Sequence, residues 1–495
     1  MRLSSIYKKL DAPFILLVLL LALGLWLRVY KIGSYMNFLG DEGRDALIVK
    51  RMIVDHRFTL LGPSTSVGSM NLGPLYYYFM AIPLLLAGFN PLGPAVMVAL
   101  LGVLTLYLVY KTIDRFFGNT FLALVAGLLF SASPVVLQFS RSSWNPNIAP
   151  FFSIIIIYFL YKIVKYKKVK NLVFVIPSMF ILVQSHYMTI AMFPFILFWL
   201  LFAFEKMGSK KRIAFIKYFF LSLGIGLFII FPYLLFNVRH DLISIREIAI
   251  FLQNRQVAGS GGIMSYLNNS FHLLRFFYAN LLSGGNERVA FLVLLISLFG
   301  LILNKKYRFE NCYIASLLLS GILVARLYSG QIYDYYLGFL FPALYISLAG
   351  IFPFFVKNGK AVSKIAILGA AVFLLYLGLR KSYLFSRPSN QLAKSKAVGD
   401  FIAENAEGRL FNLAMISPLK DYRAMPYRYF AELKSGQILD YTDYKDDTYL
   451  YVILEENADV MSSPIYEITQ FHPTKKVADF NVADTKIEKY VNTEK

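Results

Sequence analysis

Eleven apolar runs, each about as long as a helix needs to cross roughly 30 Å of hydrocarbon, recur between residues 13 and 380. They fall at 13–30, 92–110, 119–137, 148–163, 171–186, 188–204, 213–235, 289–303, 312–328, 335–356 and 362–380. In lipid every backbone polar group must find its partner within the segment, so such runs predict a polytopic α-helical membrane protein. The chain is 57% hydrophobic and only 16% charged, against about 25% charged in soluble domains. The first run follows Arg2, Lys8 and Lys9, lacks a small-residue cleavage site and ends in Trp26, Arg28, Tyr30 and Lys31, which predicts an uncleaved first span.

The net charge of +21 does not point to nucleic acid. Lys and Arg number 35 against 12 acids up to residue 380, and 15 against 17 beyond it, so the excess lies in the membrane part. The apolar segment Pro74 to Gly88 decides orientation. If it does not cross, the basic loops at Lys111 and Arg115, Lys162 to Lys170, Lys206 to Lys217, Lys305 to Arg308 and Lys357 to Lys364 all share the N-terminal, cytoplasmic side. It is therefore read as an interfacial or dipping helix, which puts the C-terminus outside. Eight of the twelve acids before residue 381 then lie outside, four of them between 41 and 55.

Two domains follow: 1–380 in the membrane, with 31–91 its first extracytoplasmic loop, and 381–495 as a small extracytoplasmic α/β unit. In the latter, Leu410 to Ile416, Tyr449 to Leu454 and Ile465 to Phe471 read as strands and Ala397 to Glu404 as helix. The single cysteine, Cys312, permits no intramolecular disulfide. Nucleotide-binding and metalloprotease motifs are absent.

Chemistry concentrates in the first external loop, Leu39-Gly40-Asp41-Glu42-Gly43-Arg44-Asp45-Ala46, followed by Gly73-Pro74-Leu75-Tyr76-Tyr77. On a helix Asp41 and Asp45 share a face and Arg44 can pair with either. A helix N-cap at Asp41 with a solvated acidic first turn reads equally well from these residues. Carboxylates just beyond a span meet a lipid-linked headgroup at its own height.

The Asp41-Glu42 pair after the first span, the approach Gly73 to Tyr77, the basic turn near Arg115 to Gly118 and the external loop after Ser133-Pro134 resemble the GT-C superfamily of membrane glycosyltransferases. The resemblance is to glycosyltransferase family 39, which includes protein O-mannosyltransferases and the aminoarabinose transferase acting on lipid A. It implies transfer of a sugar from a polyprenyl-phosphate donor to an extracytoplasmic protein, lipid or cell-envelope glycan, with Asp41 as general base and Glu42 beside it. A departing phosphate needs cations, for which Arg239 and Arg326 lead and Arg141, His240, Arg255 and Arg275 follow. Relatives commonly carry an acid in the second external loop, where this chain has Trp144, Asn145 and Asn147; these suit sugar recognition, although Asn-Pro is also a turn signal. His186 with Tyr187, and Asp334 with Tyr335, are further candidates for substrate contact, beside Arg44, Asp45, Tyr76 and Tyr77. No histidine spacing suggests a metal; a divalent cation on Asp41 with Asp334 is chemically compatible, not required. A transporter or lipid flippase would also have about a dozen spans, but would place polar residues near the midplane and show repeated halves, neither of which is found.

Overall fold

A computed structural model describes residues 12–65, 70–253, 262–355, 361–456 and 458–494. Every expected span is helical, but not every one is long. Among the described residues eight helices are long and apolar enough to cross a membrane: Ala12–Val29, Leu92–Phe117, Asn145–Tyr166, Tyr187–Glu205, Ser209–Arg239, Lys305–Arg326, Asp334–Ile351 and Ala361–Leu379. Thr120–Ala132 and Val169–Ser185 are shorter. Ser133-Pro134 ends the first of these, since proline cannot continue a helix, and a separate Pro134–Phe139 helix follows. Leu75–Leu86 has 12 residues, about 18 Å of helix, well short of the hydrocarbon thickness.

The stretch 236–288, between the spans expected at 213–235 and 289–303, is largely helical among its described residues. Ile243–Gln253 and Gly262–Leu282 occupy it, and the latter bends by 106° into Glu287–Gly300. Asn268, Asn269, His272 and Arg275 dilute the apolar pattern of Gly262–Leu282, which hides it from a hydropathy reading. Arg255 lies outside the described residues.

The chain divides into two compact units, 1–30 with 59–79 and 95–387, and 31–58 with 80–94 and 388–495. The first holds the large apolar core, in which Tyr161, Tyr313 and Tyr345 are buried among leucines, isoleucines and phenylalanines. Their hydroxyls are satisfied: Tyr161 donates to Glu310 at 2.8 Å, and Tyr313 and Tyr345 to carbonyls of Ile157 and Leu281 at 2.9 Å.

The second unit contains a four-stranded sheet of order β1-β2-β4-β3, with β1 Phe411–Ile416, β2 Tyr449–Leu454, β3 Lys475–Val482 and β4 Thr485–Val491. β1 and β2 run parallel and the other pairs antiparallel. The first two strands are the expected ones. Ile465 to Phe471 is not a strand: Tyr466–Phe471 is a helix, because Ile465, Ile468 and Phe471 recur every three residues and the last two are buried together. The β3–β4 hairpin turns on Ala483 and Asp484, at φ 48° and 58°, a left-handed pair usually signalled by Asn-Gly.

Candidate active site

Gly40–Val54 is a helix that begins at the acidic loop and buries Gly43, Ala46, Val49 and Met52 along one stripe. The N-cap is Leu39 rather than Asp41. Glu42 reaches back so that its Oε2 accepts the Leu39 N–H at 3.1 Å, satisfying one of the orphan donors at the helix start. Asp41 is thereby released from capping. Its side chain is half exposed (49%) and accepts from Arg44 Nη1 at 2.7 Å. Arg44 also donates to the fully buried Asp45, from Nη2 at 2.7 Å and Nε at 3.0 Å. The spacing argument is met: one guanidinium holds both aspartates.

Burial, with the charge of Asp41 adding to it, pushes the Glu42 carboxyl up to about 7 against the Leu39 N–H that favours ionisation. A carboxyl raised in the fold from 4.5 contributes stability that is complete below about 4.5 and is lost as pH rises through 7. The contribution is on the order of 3 kcal/mol. The protein in detergent is therefore expected to melt higher at pH 5 than at pH 8, and Glu42→Gln to flatten that slope. An unchanged slope in the variant would assign the effect to another group.

This helix is fixed within the second unit by close packing and by charge. A Cβ on Gly43 would meet the Pro426 backbone nitrogen at 2.5 Å, and one on Gly40 would meet the Asp421 carboxyl carbon at 2.9 Å. Arg51 donates to Glu432 at 2.6 Å and to Asp440 at 2.7 Å, and Lys50 reaches Glu432 at 3.2 Å. Against burial, Arg51 and Lys50 hold Glu432 below the ordinary carboxylate range, and the Thr442 hydroxyl together with Arg51 holds Asp440 below it. A groove of about 630 Å³ in the same unit is lined by Lys31, Phe89, Lys396 and Phe430 among others, but not by Asp41.

In the first unit a cluster of rings gathers several expected residues. Trp144 packs on Tyr335 with centroids 4.4 Å apart, and His186 meets Tyr336 at 4.6 Å and Tyr335 at 5.8 Å. Tyr333 stacks on Tyr335 at 5.9 Å and interplanar 8°, and Tyr328 reaches Tyr336 at 6.2 Å. Arg326, half-buried, donates to the Tyr328 carbonyl at 3.1 Å, which places it beside this cluster. Asp334 accepts from Asn280 Nδ2 at 2.8 Å. Tyr328 is not singled out by sequence, and Tyr333 and Tyr336, which flank the candidates Asp334 and Tyr335, read there as interfacial belt residues.

Other expected residues do structural work. Arg141 is buried and donates to the carbonyls of Leu27 and Tyr30, satisfying the end of the first span, with the Tyr383 ring 5.6 Å away. Asn145 donates to the Ser185 carbonyl at 2.6 Å and Asn147 to that of Ser142 at 2.9 Å. Tyr76 shares a hydrogen bond with Ser143 at 2.8 Å, Tyr77 is buried, and Tyr187 donates to the Asn71 carbonyl at 2.5 Å. Arg239 is exposed at the end of Ser209–Arg239, and His240 stacks on Phe236 at 4.1 Å. Arg275 pairs with Glu287 at 2.8 Å. Among the described residues no three His, Cys, Asp or Glu side chains come together as a metal site; Asp41 and Asp334 fall in different units.

Residues 71–236 match the family described as dolichyl-phosphate-mannose-protein mannosyltransferase. The crystal structure of ArnT from Cupriavidus metallidurans bound to undecaprenyl phosphate aligns with a TM-score of 0.62 and 14% identity, over 96% of this chain and 98% of that one. ArnT from the same organism in the apo state aligns equally well, over 97% and 98%. No curated protein matches the sequence. At this identity the likeness is one of fold, and it extends over nearly the whole chain.

Proposed function

We propose that this chain is a membrane glycosyltransferase of the GT-C superfamily, transferring a sugar from a polyprenyl-phosphate carrier to an extracytoplasmic acceptor, with Asp41 as general base. The observation that carries the reading is Asp41 itself. It is a carboxylate left exposed at the first turn of a helix whose capping is done by Glu42, and it is held in place by Arg44. Its position directly after the first span in an ArnT-like fold, and a mannosyltransferase match over 71–236, support a lipid-linked sugar donor. That one ArnT structure holds undecaprenyl phosphate favours a carrier of that type.

The chemistry asked of the protein is modest, because the donor brings its own leaving group. Asp41 removes a proton from an acceptor hydroxyl or amine, the freed lone pair attacks the anomeric carbon, and the carbon–oxygen bond to phosphate breaks. The polyprenyl phosphate leaves with that electron pair. Glu42, raised to about 7 by burial, carries less than a full charge beside the base near neutral pH. Trp144, His186 and Tyr335 offer faces for a sugar ring, and Arg326 the cation for the phosphate. The N-terminus faces the cytoplasm and Asp41 the opposite side, since that arrangement gathers the basic loops inside. The segments 1–380 and 381–495 divide membrane anchoring from an external α/β part.

Purified protein given a labelled polyprenyl-phosphate sugar and a membrane-lipid or glycan acceptor should form product without moving the donor across vesicles; flux without transfer would favour a flippase. Arg326→Ala and Trp144→Ala should each raise the donor KM by about tenfold, with kcat less affected. Equal KM values in variant and parent would remove the ring cluster from substrate binding.

A further inference from the structure

The segment after β1 brings one more acid to the base. Asp421 lies against Gly40, the residue before Asp41, so closely that a Cβ there would sit 2.9 Å from its carboxyl carbon and 3.0 Å from its Oδ2. The same oxygen accepts the Met425 N–H at 3.1 Å, which ties the side chain to the start of the helix Met425–Lys434. It is thus fixed from one side by a backbone donor and from the other by a glycine that leaves room for it. The charged groups around it are Asp41 on the base helix, Arg428 on Met425–Lys434 and Glu455 after β2. Asp41 in turn faces Arg44 and Glu42.

We infer that Asp421 is a positioning residue for the transfer reaction: ionised, it repels the adjacent Asp41 carboxylate toward Arg44 and keeps its lone pairs open to the acceptor. The inference rests on Asp41 being the base. A neutral side chain at 421 does the opposite. It removes the repulsion, so that Asp41 is no longer pressed toward Arg44. Burial, with the Asp41 charge adding to it, raises Asp421 to about 6 against the Met425 N–H, so this switch falls within the range over which the enzyme can be assayed.

The test uses the purified full-length protein and a labelled polyprenyl-phosphate sugar, with kcat and donor KM measured from pH 5 to 8. Asp421→Asn keeps the shape and an acceptor for Met425 but carries a donor and no charge. It is expected to lower kcat about tenfold at pH 7.5 with donor KM and melting temperature unchanged, and Asp421→Glu to recover most of the loss. Wild-type kcat should fall below pH 6. A wild-type kcat flat from pH 7.5 to 5.5 overturns the inference even if the Asn variant does not fold, as does an Asn variant with wild-type kcat throughout. If Asp41→Asn also transfers at the wild-type rate in the same assay, it is the base assignment that has failed.

Discussion

Asp41→Asn is expected to lower sugar transfer by about 10²–10⁴-fold, the range over which a positioned base contributes to a reaction of this kind. The amide keeps the side chain's shape and one acceptor for Arg44 but cannot take the acceptor's proton. The change should cost little stability. The Asp41–Arg44 pair is solvent-facing on the aspartate side, and exposed pairs contribute about 0–1 kcal/mol. Arg44 keeps its stronger anchor, two hydrogen bonds to the buried Asp45. Expression level and melting temperature close to wild type, with transfer lost, would separate a chemical role from a structural one; full transfer by a well-folded variant would remove Asp41 from the mechanism.

Gly43→Ala should have an effect of comparable size by another route. The added methyl would be 2.5 Å from the nitrogen of Pro426, 2.6 Å from its Cα and 2.7 Å from the Met425 carbonyl carbon. All three are backbone atoms at the start of a helix, so no rotamer change relieves the clash. Forced overpacking costs about 1–3 kcal/mol and sometimes more, and here the displaced element carries Asp41, the proposed base. A markedly lower melting temperature together with lost transfer is the expected pair of readings. Gly88→Ala is a contrasting case: its Cβ would meet nothing within 4 Å, and only its φ of 61° makes it unfavourable. A Gly43→Ala protein as stable and active as wild type would show that the helix packing can yield.

The membrane class and most helices were legible in the sequence because hydropathy over a whole span is a strong signal. The lengths were not, because a local breaker such as Ser133-Pro134 shortens a helix without lowering its hydropathy. Gly262–Leu282 escaped for the reverse reason, its polar residues masking a helix 21 residues long. In the external loop, the i and i+4 spacing of Asp41 and Asp45 with Arg44 between them foretold the observed pairing. What periodicity cannot show is which acid caps the helix, and the structure gives that task to Glu42. Nor could any local pattern have found Pro426, Asp421 or Glu432 as neighbours of residues 40 to 51. Their relevance is purely tertiary. Arg141 shows another limit: an arginine in an external loop reads as an anion ligand, and only the tertiary structure reveals that its guanidinium also donates to two carbonyls at a helix end.

The pair Arg51–Glu432 spans 381 residues of sequence. A nascent chain that has emerged only to residue 400 already contains the eight long apolar helices found among the described residues, but its Gly40–Val54 helix has neither Pro426 to rest on nor Glu432 and Asp440 to grip it. The helix that bears Asp41 therefore lacks these contacts while the apolar helices before it are inserted, and gains them only when residues 426 to 440 arrive. The order of synthesis thus sets membrane insertion before the packing that holds this helix.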